Sequence, residues 1–201
     1  MPLTRLPRYV LEHRRRDHTE HEDAPFTESS LRRYLLVAGR REQDQSGVFA
    51  LKTHWTDFHL TMESRGTSPD LWGAPVVWLR TRRIDRLAQA VSLVRAQQTG
   101  QWTHVLRVRG EPRYDRDAIR QALRRVEHEE SSWDRYFSEH GVSPLEVVYE
   151  QLVADHRGTV TAVLEHLGHT GVEVPPPPIE RQADDLNREW AERFRREEGL
   201  Q

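Results

Sequence analysis

The first 28 residues carry no apolar periodicity. They run from a basic cluster (Arg14, Arg15, Arg16) into the acidic, His-rich stretch DHTEHEDAP and read as a polar extension with at most one short helix. From residue 29 the pattern becomes regular. Ser29 or Ser30 is placed to cap a helix to about residue 44, with Leu31, Tyr34, Leu35 and Ala38 at helical spacing, and Ser46-Gly47 breaks it. In GVFALKTH, Val48, Ala50 and Lys52 fall on one face and Phe49, Leu51 and Thr53 on the other, which suits a strand covered on both sides.

A short helix (DFHLTMES) and a turn (GTSPD) follow, and APVVWL reads as a second buried strand. The cleanest helical pattern runs from about Asp85 to Gln98, where Leu87, Val91 and Val94 sit at i, i+4 and i+7. After the GEPRYD turn, a polar amphipathic helix extends from Asp115 to about His140 and stops at Gly141. PLEVVYE reads as a third strand, and Ala162, Leu164 and Leu167 mark a helix closed by Gly168. The run Pro175 to Pro178 is a stiff extended spacer before a charged helix from about Ile179 to Glu198. There is no internal repeat. Strands alternating with helices imply an α/β layered fold with a mainly parallel sheet over residues 29–201, although three strands are few for such a length.

Composition narrows the function classes. No cysteine is present, which excludes disulfides and thiolate chemistry. Of 30 basic residues only Lys52 is lysine, and 32 acidic residues leave a net charge of -2, so nothing overall argues for a nucleic-acid partner. No apolar run approaches the ~20 residues of a membrane span, and MPLTRLPRYV lacks the apolar core of a signal peptide; the expectation is a cytoplasmic protein with no membrane partner.

Two segments could carry chemistry. In WLRTRRIDRLAQAVSLVRAQQTGQW, a strand, an Arg-rich turn and a helix follow one another. The carboxyl end of a parallel strand and the start of the next helix form the usual ligand crevice, and helix N-termini favour anions. Arg80, Arg82 and Arg83 at that point would make an anion site, or else be solvated surface charge in an Arg-biased chain. Arg83 and Ser92 lie nine positions apart, roughly 13 Å if helical throughout, so one phosphate joins them only if Arg83 lies in the turn and reaches forward.

In LKTHW, Lys52 and His54 supply an ammonium to neutralise a leaving oxygen and an imidazole to take a hydroxyl proton, and a strand would point both the same way. Three minor features remain. His18 and His21 in a polar tail make a poor metal site, and no metal is expected. Trp102 could stack on a sugar, or pack in a core or dimer interface. Leu186, Trp190 and Phe194 form a narrow apolar stripe that docks on its own domain or on a second copy, the expectation leaning to a homodimer.

Together the strings WLRTRRIDRLAQAVSLVRAQQTGQW, GVFALKTHW, LEVVYEQLVADHRGTVTAVLEHLG and RQADDLNREW resemble the bacterial trehalose 2-sulfotransferase family, over roughly residues 45–197. The resemblance implies a three-layer α/β/α sulfotransferase fold like that of P-loop kinases. It also implies 3′-phosphoadenosine 5′-phosphosulfate as co-substrate and the hydroxyl of a sugar or other small metabolite as acceptor. By position it implies Arg83 and Ser92 as the holders of the donor's 3′-phosphate, and Lys52 and His54 as the catalytic pair of the cytosolic sulfotransferase strand. The trehalose enzymes use a glutamate base nearer the N-terminus, which has no placed counterpart here. Arg181 and Gln182 match a family motif that either touches nucleotide or packs the last helix.

The family's Pro-Arg-Ser-Gly-Ser-Thr-like loop, which cradles the 5′-phosphosulfate on backbone N–H groups, has no match here, and residues 1–28 resemble the segment that follows it. The expectation is therefore an N-terminally incomplete version of the fold. It would be either a sulfotransferase or an inactive or truncated relative serving as a nucleotide-binding or dimerising module. A kinase-like phosphotransferase is disfavoured by the lack of G-x-x-x-x-G-K-[ST].

Overall fold

A computed structural model describes residues 50–66, 76–102, 107–177 and 185–200. The chain divides into two units, Met1–Val76 and Val77–Gln201. The expected extension over 1–28, the helix over 29–44, and His18, His21, Arg181 and Gln182 lie outside the described residues.

In the first unit, helix α1 (Trp55–Thr61) is followed by a short 3-10 turn, Glu63–Arg65. Trp55, Phe58 and Met62 recur at helical spacing and are buried together. The His59 ring meets the Glu63 carboxylate across one turn and stacks against Trp55. The expected strand GVFALKTH is corrected over its described part. Ala50 to Thr53 pair with no strand among the described residues and lead into α1, with His54 at its N-cap. Alternation reports only which way side chains point; a strand also needs a neighbour to take its backbone hydrogen bonds, and helix α1 claims the chain one residue past His54 instead.

The second unit is α/β with an open parallel sheet. Strand β1 (Leu79–Arg82) leads through helices α2 (Arg86–Thr99) and α3 (Arg116–Glu139) to strand β2 (Leu145–Val148). Helices α4 (Tyr149–Ala154), α5 (His156–His166) and α6 (Asp185–Glu198) complete the described chain. β1 and β2 pair in parallel, Leu79 opposite Leu145 and Arg82 opposite Val148.

The strand expected over APVVWL is shifted towards the C-terminus. In this register the first bond of the ladder is donated by the Leu145 amide to the Trp78 carbonyl at 2.9 Å, and paired residues begin at Leu79 opposite Leu145. Val76 and Val77 precede the strand.

The long helices begin and end where their sequences direct. Asp85 and Asp115 accept from the Ala88 and Ala118 amides at 2.8 and 2.9 Å, and Asp155 caps α5 in the same way. α2 stops at Gly100, which takes the left-handed conformation (φ 69°) that a side chain would strain. One core lies between α2, α3 and α6, built from Leu87, Val91, Val94, Ile119, Trp190 and Phe194. The apolar stripe of α6 thus docks within its own unit, and the argument from that stripe for a second copy falls away. A second cluster joins Trp78 to the far half of α3, where it meets Phe137 edge-on at 5.5 Å between centroids and Trp133 stacks on Phe137 at 5.4 Å.

Candidate functional site

The carboxyl end of β1, the turn Arg83–Asp85 and the start of α2 form the expected crevice edge, but the three arginines there have separate roles. Arg80 points inward and is only 8% exposed. Its guanidinium meets Asp134 Oδ1 at 2.5 Å, Glu130 Oε2 at 3.0 Å and Glu146 Oε1 at 3.6 Å. Burial works against its charge, but the bond to Asp134 and the charges of Glu130, Asp134 and Glu146 outweigh that and raise its pKa. Arg82 pairs with Glu146 at 3.1 Å and Glu130 at 3.8 Å. These two arginines belong to a sheet-to-α3 ion network rather than to an anion site, which corrects the grouping of all three.

Arg83 stands apart. It lies in the turn, as a shared phosphate with Ser92 requires, and its guanidinium sits over the Tyr149 ring, 3.8 Å from the centroid. Ser92 is half-buried on α2, beside the buried Val91.

Three backbone N–H groups at this turn and helix start, those of Ile84, Asp85 and Ala88, already have carboxylate acceptors. Glu150 Oε2 takes the Ile84 amide at 3.0 Å and Oε1 takes the Asp85 amide at 3.4 Å, while Asp85 takes the Ala88 amide. Burial pushes the Glu150 carboxyl up, but the amides of Ile84, of Glu150 itself and of Asp85, with the Arg83 charge, hold it below its ordinary value. The Ile84, Asp85 and Ala88 amides are therefore already engaged within the protein. Tyr149 and Glu150 are the residues that the pattern PLEVVYE did not single out. The available signal was their place: in a parallel sheet the first residues past one strand lie beside the turn that leaves its neighbour.

Lys52 and His54 lie in the first unit. Both are exposed, and His54 has extended backbone at the N-cap of α1. Its carbonyl accepts the Phe58 amide at 3.0 Å while its ring makes no capping bond. The shared strand face expected for the pair is absent because the strand is. Trp102 is 57% exposed, so it is neither core nor packed beneath another element.

A groove of about 670 Å³ opens between the end of α2, the start of α3 and the end of α6, lined by Gln98, Arg113, Tyr114, Arg116, Arg193 and Glu197. It lies at the opposite end of α2 from Arg83, and Glu197 within it is already engaged: Tyr114 donates to Glu197 at 2.8 Å and Arg193 bonds it at 2.9 Å. It is no part of the crevice. Among the described residues no three His, Asp or Glu side chains converge on one point, and no helix is long and apolar enough to cross a membrane.

The second unit has the α/β architecture of an open parallel sheet with helices packed on it, and comparison with known proteins names the family. Residues 13–197 match the Stf0 sulphotransferase family. The trehalose 2-sulfotransferase of Mycobacterium tuberculosis is 29% identical over 191 residues, covering 85% of this chain and 68% of that protein. The trehalose 2-sulfotransferase of Mycolicibacterium smegmatis is 32% identical over 186 residues, covering 83% of this chain and 66% of that protein. The aligned part is about two thirds of each relative's length. The chain belongs to the Stf0 sulphotransferase family.

Proposed function

We propose that the chain acts in the transfer of a sulfuryl group from 3′-phosphoadenosine 5′-phosphosulfate to a hydroxyl of a sugar. The observation that carries this reading is the isolation of Arg83. Of the three arginines at the end of β1 it alone is not committed to the ion network with α3, and it is held in the turn ahead of the helix bearing Ser92. Arg83 and Ser92 hold the donor's 3′-phosphate in this reading. A guanidinium gives a phosphate two parallel donors and a hydroxyl gives a third.

The transfer is an in-line displacement. The acceptor oxygen forms its bond to sulfur as the bond from sulfur to the phosphate oxygen breaks, and that bond's electron pair leaves on the phosphate. Lys52 offsets the charge growing on the leaving oxygen and His54 receives the acceptor's proton. The exposure of both residues suits groups that must reach reactants. The likeness to two trehalose 2-sulfotransferases supports a sugar as the acceptor.

Calorimetric titration with 3′-phosphoadenosine 5′-phosphate tests the nucleotide half. Arg83→Ala should weaken binding tenfold or more, about 1.4 kcal/mol, and unchanged affinity would overturn the assignment. His54→Ala should abolish turnover with nucleotide binding intact. Turnover that persists places the base elsewhere.

A further inference from the structure

The turn that carries Arg83 is gripped from the neighbouring strand. Glu150, two residues past the end of β2, accepts from the Ile84 and Asp85 amides at 3.0 and 3.4 Å, and Tyr149 beside it lies under the Arg83 guanidinium at 3.8 Å. Resting on the reading of Arg83 as a phosphate holder, we propose that Glu150 is a positioning residue of the nucleotide site: it locks the turn through two backbone amides and so fixes where Arg83 presents its guanidinium.

Two opposed effects make the role decidable. A carboxylate accepting two N–H groups forms charge-assisted bonds that hold a turn more firmly than water would. The same negative charge near an arriving phosphate repels it. If Glu150 only contributed charge, removing it would tighten nucleotide binding. If it positions Arg83, removing it loosens the turn and weakens binding despite the lost repulsion. Glu150 also occupies the Ile84 and Asp85 amides, so a phosphate arriving at this turn does not bind through those two groups.

The experiment is a double-mutant cycle on the full chain, read by calorimetric titration with 3′-phosphoadenosine 5′-phosphate and accompanied by thermal melting of each variant. Glu150→Ala should weaken binding about fivefold. Glu150→Gln, whose amide oxygen still accepts one of the two N–H groups, should lose about twofold and serves where the alanine variant melts early. In the Arg83→Ala background, Glu150→Ala should cost nothing or tighten binding, because no guanidinium is left to position.

Equal losses in both backgrounds would show a general structural role and overturn the proposal. Tighter binding by Glu150→Ala in the wild-type background would overturn it in favour of bare repulsion. A full loss from Arg83→Ala with none from either Glu150 variant overturns the proposal alone, whereas no loss from Arg83→Ala overturns the underlying nucleotide reading with it.

Discussion

The Arg83 guanidinium lies over the Tyr149 ring, 3.8 Å from its centroid, so a residue just past β2 supports the side chain just past β1. A cation over an aromatic face at a partly exposed site is worth about 0.5–1 kcal/mol. The contact depends on the flat ring and not on the hydroxyl. Tyr149→Phe should therefore keep the affinity for 3′-phosphoadenosine 5′-phosphate, and Tyr149→Leu should lose about threefold, both by calorimetry. Arg83→Lys should lose more than Tyr149→Leu, since an ammonium offers neither the planar stack nor two parallel donors. Equal affinities for the phenylalanine and leucine variants would show that the ring does not steady Arg83.

Arg80 predicts a stability effect where Arg83 predicts a binding effect. Replacing it by methionine leaves the Glu130 carboxylate, 12% exposed, without the partner that holds it at 3.0 Å. Breaking a buried pair from one side costs about 3 kcal/mol or more, whereas an exposed pair is worth about 1 kcal/mol or less. Arg80→Met should lower the urea midpoint well below that of Arg82→Ala, whose side chain is 29% exposed. Similar midpoints for the two variants would remove Arg80 from the set of residues that hold the sheet to α3.

The same pair of residues shows where the fold was legible in the chain and where it was not. Helix ends were readable because their signals are local: Asp85 and Asp115 cap through the amide three residues on, and Gly100 supplies the left-handed stop. The strands were harder. In LRTR, burial alternates against hydropathy, with Arg80 inside and Leu79 40% exposed, because three carboxylates from α3 and β2 receive the arginine. No window of sequence around Arg80 contains those partners.

GVFALKTH failed for the complementary reason: the alternation was present, but residues 50–54 have no strand beside them among the described residues. Within the site, Arg83 was legible as a cation in a turn after a strand. Its separation from Arg80 and Arg82, and its support by Tyr149 and Glu150, depend on parallel pairing between segments more than 60 residues apart, as the Arg80–Glu146 register shows.

The α6 stripe carries a third prediction. Phe194 is 1% exposed and packs with Trp190, Val91 and Ile119 in the core of its own unit. Truncating a buried aromatic costs about 3–5 kcal/mol. Phe194→Ala should cause a loss of that size by urea unfolding. Because the helix docks within the chain, the size of the loss should not change with protein concentration. Stabilisation of the wild-type midpoint by rising concentration, lost in the variant, would instead mean that the stripe is completed by a second copy.

At the far end of α6, Tyr114 gives a pH dependence whose sign is fixed. Burial, the hydrogen bond to Glu197 and the charge of Glu197 push the Tyr114 hydroxyl up to about 12, with Arg193 and Arg116 pulling the other way. An unfolded tyrosine titrates near 10. Below pH 10 the phenol is protonated in both states and its contribution to stability is present in full. Between about pH 10 and 12 the unfolded chain has lost its proton while the folded one keeps it, so the unfolded state binds fewer protons and stability falls as pH rises. Tyr114→Phe removes the titrating group while keeping the ring that Trp190 meets edge-on at 5.9 Å. Urea midpoints measured from pH 9 upward should therefore fall less steeply in Tyr114→Phe than in the wild type, the two curves differing by one proton's slope. Parallel curves would mean that the hydroxyl does not donate to Glu197 in solution.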